Sequence, residues 1–197
     1  MELAQEKGGS CLITTLPLEK YGFAIQGKRD FRDLLRMRYR KPLVRLPSIC
    51  ACGAAFSLDH SQICMRGGFV NLRHNEGEHL WAHTCSKLFN DVEAEPALEP
   101  LDDEKMIYKS AITTDEARSD VRVRGFWGNR QNAFFELRYF YPFASSHNSK
   151  SLESCFQSIA RSRKREYRQR ITQVDNASFT PMIMTPTGPW GQRWRSR

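Results

Sequence analysis

Two acids stand on short strand-like runs that follow one another closely: Asp120 directly precedes Val121-Arg122-Val123, and Glu136 lies inside Phe134-Phe135-Glu136-Leu137-Arg138-Tyr139-Phe140. A Gly-Asn turn is expected to join the runs. In a strand, successive side chains point to opposite faces, so Glu136 and Arg138 share a face and Phe135 and Leu137 take the other. An acid at the start of the neighbouring strand could point to the same place. Two carboxylates there can share one hard divalent cation, with an arginine beside them to meet negative charge on phosphate. That is the donor set of a metal-dependent phosphodiesterase. A hairpin with an acid and several arginines on its wet face would carry the same residues.

A second group has different chemistry. Cys50 and Cys52, then His60, then Cys64 place four soft or borderline ligands within fifteen residues, the number that tetrahedral zinc takes. Gly53 permits a tight turn after the second cysteine. The Cys-x-Cys gap is narrower than the common two-residue gap, which leaves His74 as an alternative fourth ligand to Cys50. A closed site of this kind is structural and anchors a segment with little core of its own. His79 and His83 also stand at i and i+4, without an obvious third ligand.

These residues need a scaffold, and 197 residues, 40% of them apolar, can supply one ordinary domain with a small appendage. The formal charge of +8 and a pI of about 9.4 point to a polyanionic partner. Basic residues cluster from Lys28 to Lys41, with Arg32, Arg36, Arg38 and Arg40 among them, and again from Arg161 to Arg170, with Arg161, Arg163, Lys164 and Arg165. The second run also suits a solvated helix face or a nuclear-localisation patch. No apolar run approaches the length of a membrane-spanning helix, and Met1 to Lys7 lacks the apolar stretch of a signal peptide. An intracellular protein, nuclear or cytoplasmic, with its six cysteines reduced is the expectation.

Periodicity predicts a basic helix from about Lys28 to Tyr39, ended by Pro42 and Pro47, and a helix over 75–90 carrying Leu80, Trp81, Thr84 and Leu88. A short strand at Val92 to Pro96 follows, then a polar connection from Asp102 to Arg118, the Asp120 and Glu136 strands, a charged helix over 151–171 and a strand over 179–184. Phe126 and Trp127 are expected to be core, because they continue an apolar strand. Helix, three strands, helix and strand suit a mixed α/β arrangement, a central sheet flanked by helices.

In order, Cys50-Ala51-Cys52-Gly53, Asp59-His60-Ser61-Gln62-Ile63-Cys64, Gly67-Gly68-Phe69, Arg73-His74-Asn75-Glu76, Val92 to Leu98, Asp120, Phe135-Glu136-Leu137-Arg138 and Ser178-Phe179-Thr180-Pro181 form a series. The series resembles the C-terminal end of non-LTR retrotransposon-type reverse transcriptases, over roughly residues 10 to 188. There a zinc-knuckle-like cluster precedes a restriction-endonuclease-like domain. The resemblance implies a nuclease of the PD-(D/E)xK class, a four-stranded mixed sheet between helices, which nicks target DNA with Mg²⁺ or Mn²⁺. It matches Asp120 and Glu136 to the two motif acids and Glu76 to the first-helix acid, with Glu95 as an alternative. Arg138 stands where the motif has lysine, and arginine does not readily give up a proton. Lys164 is the expected replacement, since that lysine migrates to the following helix in some members. Ser119 takes the place of the motif's proline.

The implied organisation is a basic arm over 1–48, a zinc-knuckle-like segment over 49–74, the nuclease domain over 75–188 and a loose tail over 189–197. No Tyr/Phe-x-Asp-Asp pair occurs, so no polymerase palm is expected, and the chain resembles a fragment or stand-alone descendant of such an element. The basic clusters, with Arg73, would track nucleic acid, DNA or RNA, through its phosphates. A binding module that has lost catalysis but kept its zinc is the alternative, suggested by Arg138. A zinc-dependent protein-interaction domain would leave the basic clusters unexplained.

Overall fold

Serine caps and left-handed turns divide the chain into short elements, seen in a computed structural model that describes residues 28–39, 41–43, 46–66, 69–98, 118–147 and 149–186. Gly8 to Phe23, Arg40, Gly67-Gly68, most of the 102–118 connection and the 189–197 tail lie outside those residues. The elements are α1 (Lys28–Arg38), α2 (Leu58–Ile63), α3 (Phe69–Ser86), β1 (Val92–Ala94), β2 (Val121–Arg124), β3 (Asn132–Tyr139), α4 (Leu152–Gln173) and β4 (Ser178–Met184). From α3 onward the order is the expected one. The short α2 was not foreseen.

The four strands form one sheet in the order β1-β2-β3-β4, with β1/β2 and β2/β3 antiparallel. The ends of β3 and β4 show that they run the same way. At one end Ser178 Oγ meets the Asn132 carbonyl at 3.4 Å, and at the other Phe140 N–H donates to the Met184 carbonyl at 3.0 Å. A parallel pair needs a crossover, which α4 provides. The sheet is therefore mixed, in a mixed α/β fold.

Register assigns its faces. Val121 pairs with Phe135 and Val123 with Ala133, so these apolar residues share one face, and there Trp81 of α3 meets Phe135 edge-on at 5.4 Å. Phe134 points the other way, into a core with Leu98, Tyr167 and Ile171 of α4, and Ala177. Helices thus cover both faces of β3, and Ala133 to Leu137 are all buried. No wet face runs along Ala133 to Leu137, and in β3 only Arg138, near its end, is exposed. Glu136 is 7% exposed, because a central strand between two helices has no solvent side.

Two helices begin on serine caps. Ser57 Oγ accepts from His60 N–H at 3.0 Å, and Ser151 Oγ accepts from Ser154 N–H at 3.2 Å. Helix α3 begins earlier than expected, so Arg73 and His74 are helical residues. Its buried side carries Glu78 and Cys85, while Leu80 faces solvent, as does Leu88 beyond the helix end at Ser86. Spacings of three and four residues turn that side, with Trp81, toward β3. The β2–β3 connection is longer than a two-residue turn. Gly125 at φ +86° and Arg130 at φ +64° bend it, and Gly125 N–H closes on the Gln131 carbonyl at 2.8 Å. Within it Phe126 packs on Trp81 and Phe135, as expected of core, while Trp127 is 41% exposed.

By contact density the described residues divide into two units, one holding residues 28–71, 139–149 and 184–186, the other residues 72–138 and 150–183. The units interleave along the chain and do not follow it as successive segments. In the first, the Tyr141 hydroxyl donates to the Asp59 carboxylate of α2. The second holds the sheet. Among the described residues no helix is long and apolar enough to cross a membrane.

Candidate metal centres

Cys50 and Cys52 stand on a small hairpin. Ile49 bridges Ala55, Cys50 N–H donates to the Ala54 carbonyl at 2.9 Å, and Gly53, at φ +86°, closes the turn by donating to the Cys50 carbonyl at 2.8 Å. The left-handed conformation explains the glycine. Helix α2 supplies the other two donors: His60 in its body and Cys64 as its C-cap, whose N–H donates to the His60 carbonyl at 2.9 Å.

The donor atoms of Cys50, Cys52, His60 and Cys64 all lie within 4.8 Å of one another. Cys50 Sγ and Cys64 Sγ are 3.7 Å apart, and Cys52 Sγ is 3.2 Å from His60 Nε2. A disulfide would need about 2.0 Å. Tetrahedral coordination with bonds of about 2.3 Å separates two sulfurs by about 3.8 Å, which matches the first distance. Cys50 is thus one of the four, and the narrow Cys-x-Cys gap is accommodated by the hairpin. His74, the alternative fourth ligand, belongs to another group.

That second group is His74, Glu78 and Asp120, whose donor atoms also lie within 4.8 Å of one another. His74 and Glu78 are four residues apart on α3 and share its face. Asp120 sits immediately before β2, held from several sides. Its carbonyl accepts from Glu95 N–H at 2.8 Å, and its Oδ2 accepts from Leu137 N–H of β3 at 2.5 Å. Next to it Ser119 is buried and donates from Oγ to the Phe135 carbonyl at 3.0 Å. A serine can do this where proline cannot. With Oδ2 taken, Asp120 Oδ1 faces His74 Nε2 at 3.3 Å.

Electrostatics mark the cluster as rich in acid. Burial, then the charges of Asp120 and Glu95, push the Glu78 carboxyl up to about 7. The Asp120 hydrogen bond raises His74 against the opposing effect of its own burial. Asp120 stands one residue before the Val121–Phe135 pair and Glu136 one residue beyond it. Burial, then Asp120, hold Glu136 well above the ordinary carboxylate range, opposed by Arg163 and Arg138. Arg163 Nη1 lies 3.8 Å from Glu136 Oε1 and 2.8 Å from Glu166 Oε2.

The expected site residues are thus partly redistributed. Asp120 joins His74 and Glu78, whereas Glu136, on the sheet face toward α4, has Arg163 as its nearest cation. Glu76 is exposed, because two residues along a helix turn the side chain by about 200°, and Glu78 occupies the inner side. Glu95 is exposed and pairs with Arg118 at 3.8 Å. Lys164 is exposed on α4, and its neighbour Arg163 turns inward in its place. Arg138 is exposed at the end of β3, and its charge acts on both His74 and Glu136.

Among the expected phosphate contacts, Arg32, Arg161 and Arg165 are exposed, and Arg36 donates to the Pro42 carbonyl at 3.0 Å. Arg73 is half-buried; Arg40 and the side chain of Arg38 lie outside the described residues. Arg163, also expected among the phosphate contacts, is instead turned toward Glu136, and Glu78 is the residue that sequence reasoning missed. The four-residue step from His74 was the available signal for Glu78. No family model and no curated protein matches the chain.

Proposed function

We propose that the chain is a divalent-metal-dependent DNA endonuclease module of the PD-(D/E)xK type, braced by a structural Zn²⁺ at Cys50, Cys52, His60 and Cys64. The observation that carries the reading is the convergence of Glu78 from α3 and Asp120 from the start of β2 in one donor group. The buried acid Glu136 is electrostatically coupled to it. Asp120 opposes the ionisation of both Glu78 and Glu136, and a divalent cation relieves that opposition. Their oxygens are the hard donors that Mg²⁺ and Mn²⁺ take.

Asp120 and Glu78 would hold the ion, which when bound supplies Lewis acidity toward a phosphate oxygen and lowers the pKa of water. The chain's own residues do the rest. The Leu137 amide orients Asp120, so its free oxygen has one direction to face. Arg163, steadied by Glu166, and Arg138 bring positive charge toward Glu136 and the charge that develops on phosphate. Arg161, Lys164 and Arg165 are exposed on α4, where they would meet the DNA backbone.

A zinc-containing nucleic-acid-binding module without catalysis is the second reading, favoured by Arg138 in the lysine position. Nicking of supercoiled plasmid separates the two. Zinc-loaded protein with Mg²⁺ or Mn²⁺ should nick, and Asp120→Ala and Glu78→Gln should lower the rate about a hundredfold or more. Salt-sensitive DNA binding by the unaltered protein without nicking would leave only the second reading.

A further inference from the structure

We infer that His74 is itself a ligand of the divalent cation, through Nε2, so that the site takes Mn²⁺ or another first-row metal ion in preference to Mg²⁺. The inference rests on the reading of the His74, Glu78 and Asp120 group as a cation site, and deepens it by naming the class of ion.

Spacing is the first argument. Nε2 of His74 and Oδ1 of Asp120 are 3.3 Å apart. Two adjacent ligands of an octahedral ion with bonds of about 2.1 Å lie about 3 Å from one another, so the same two atoms can bind one ion with little movement. The ring also comes from the helix that supplies Glu78, one turn earlier and on the same face, as a pair of donors to one ion requires.

Glu78 is the second, independent argument. Its residue is 5% exposed, and among the described residues no hydrogen bond or ion pair reaches its carboxyl. A buried acid is ordinarily paired. Here the charge that acts on it most strongly is another acid, Asp120, and the imidazole is already turned toward Asp120. If the histidine served only as a counter-ion, Asp120 would be paired with it and Glu78 would not. An ion bound by all three atoms satisfies both.

Donor chemistry then selects the ion. Mg²⁺ favours oxygen ligands and keeps much of its water, whereas imidazole nitrogen suits the first-row transition ions, among which Mn²⁺ also accepts carboxylates well. Two carboxylates and one imidazole fit Mn²⁺ better than Mg²⁺. The soft cluster at Cys50 to Cys64 differs in kind, since sulfur supplies three of its four donors.

The test is pulsed electron paramagnetic resonance of Mn²⁺ on the full, zinc-loaded chain, with Mg²⁺ competition followed by calorimetry. Zinc on His60 removes that ring as a nitrogen source. Bound Mn²⁺ should show coupling to a histidine nitrogen that changes on ¹⁵N-histidine labelling, a readout that needs no variant. His74→Ala should abolish the coupling and weaken Mn²⁺ at least about tenfold. His74→Asp should keep an ion bound and bring the Mn²⁺ and Mg²⁺ affinities closer together. Mn²⁺ bound at Asp120 and Glu78 without nitrogen coupling would overturn the inference and leave the nuclease reading standing, as would coupling that persists in His74→Ala. Failure of the unaltered chain to bind Mn²⁺ or Mg²⁺ at all would overturn both.

Discussion

Replacing Glu78 with glutamine should stabilise the metal-free protein at alkaline pH and take away its response to divalent metal. Its carboxyl is buried on α3, near Asp120 and Glu95, and is pushed from 4.5 up to about 7. A carboxyl raised in the folded state favours the native protein when protonated. Its contribution is therefore full below about pH 4.5 and disappears as the pH passes 7. Such a rise corresponds to at most about 3 kcal/mol, and to about 1–2 kcal/mol once screening by nearby water is allowed for. Glutamine has no charge to lose. Measured by urea unfolding without added divalent ions, Glu78→Gln should gain about 1–2 kcal/mol on the parent between about pH 5 and pH 8.5. Saturating Mn²⁺ should reverse the order at the higher pH, since an ion at a hundred times its Kd stabilises by about 2.7 kcal/mol and the variant lacks a ligand. An offset between the two proteins that is the same at both pH values, or an equal response of both to Mn²⁺, would refute the reasoning.

Cys64→Ser should cost the chain its zinc, scored as loss of metal from the purified protein by mass spectrometry, because one of four converging donors is gone. Phe135→Ala should destabilise the fold by about 3–5 kcal/mol in denaturant titrations, since the ring is fully buried against Trp81 and Phe126. Arg163→Ala should move the acid limb of the nicking profile to higher pH and Lys164→Ala should not. Arg163 holds the Glu136 carboxyl down against the upward push of burial and Asp120, and without it that carboxyl ionises later.

The cysteine cluster was legible because it is local. Fifteen residues contain all four donors, and a hairpin with one six-residue helix is enough to gather them. The strands were legible from Val121-Arg122-Val123 and the aromatic run around Glu136, and α4 from its apolar spacing. The start of α3 was not, because the polar Asn71, Arg73 and His74 stand before the periodic stretch over 75–90 although they form its early turns. The resemblance matched Glu76 to the helix acid, while the side turned to the sheet is the one bearing His74, Glu78, Trp81 and Cys85. Alternation along β3 describes its two faces correctly but says nothing of what covers them, and α4 lies over the face on which Glu136 was expected to meet water. For the same reason a run of charges on α4 does not show that Arg163 turns inward and Lys164 outward.

The parallel joining of β3 to β4 also sets a timetable for synthesis. Cys50 and Cys64 close a loop of fifteen residues and can gather a metal as soon as they leave the ribosome. Asp120 finds its Leu137 amide partner only seventeen residues later. Strand β3 then waits for all of α4 before β4 arrives. During that interval one edge of an apolar central strand carries unpaired amides and carbonyls, open to another nascent chain. A ribosome paused within α4 would hold a chain whose Cys/His segment is finished and whose sheet is at its most adhesive. Aggregation of this protein in cells should therefore follow the speed of translation through residues 152–177 more closely than the supply of zinc.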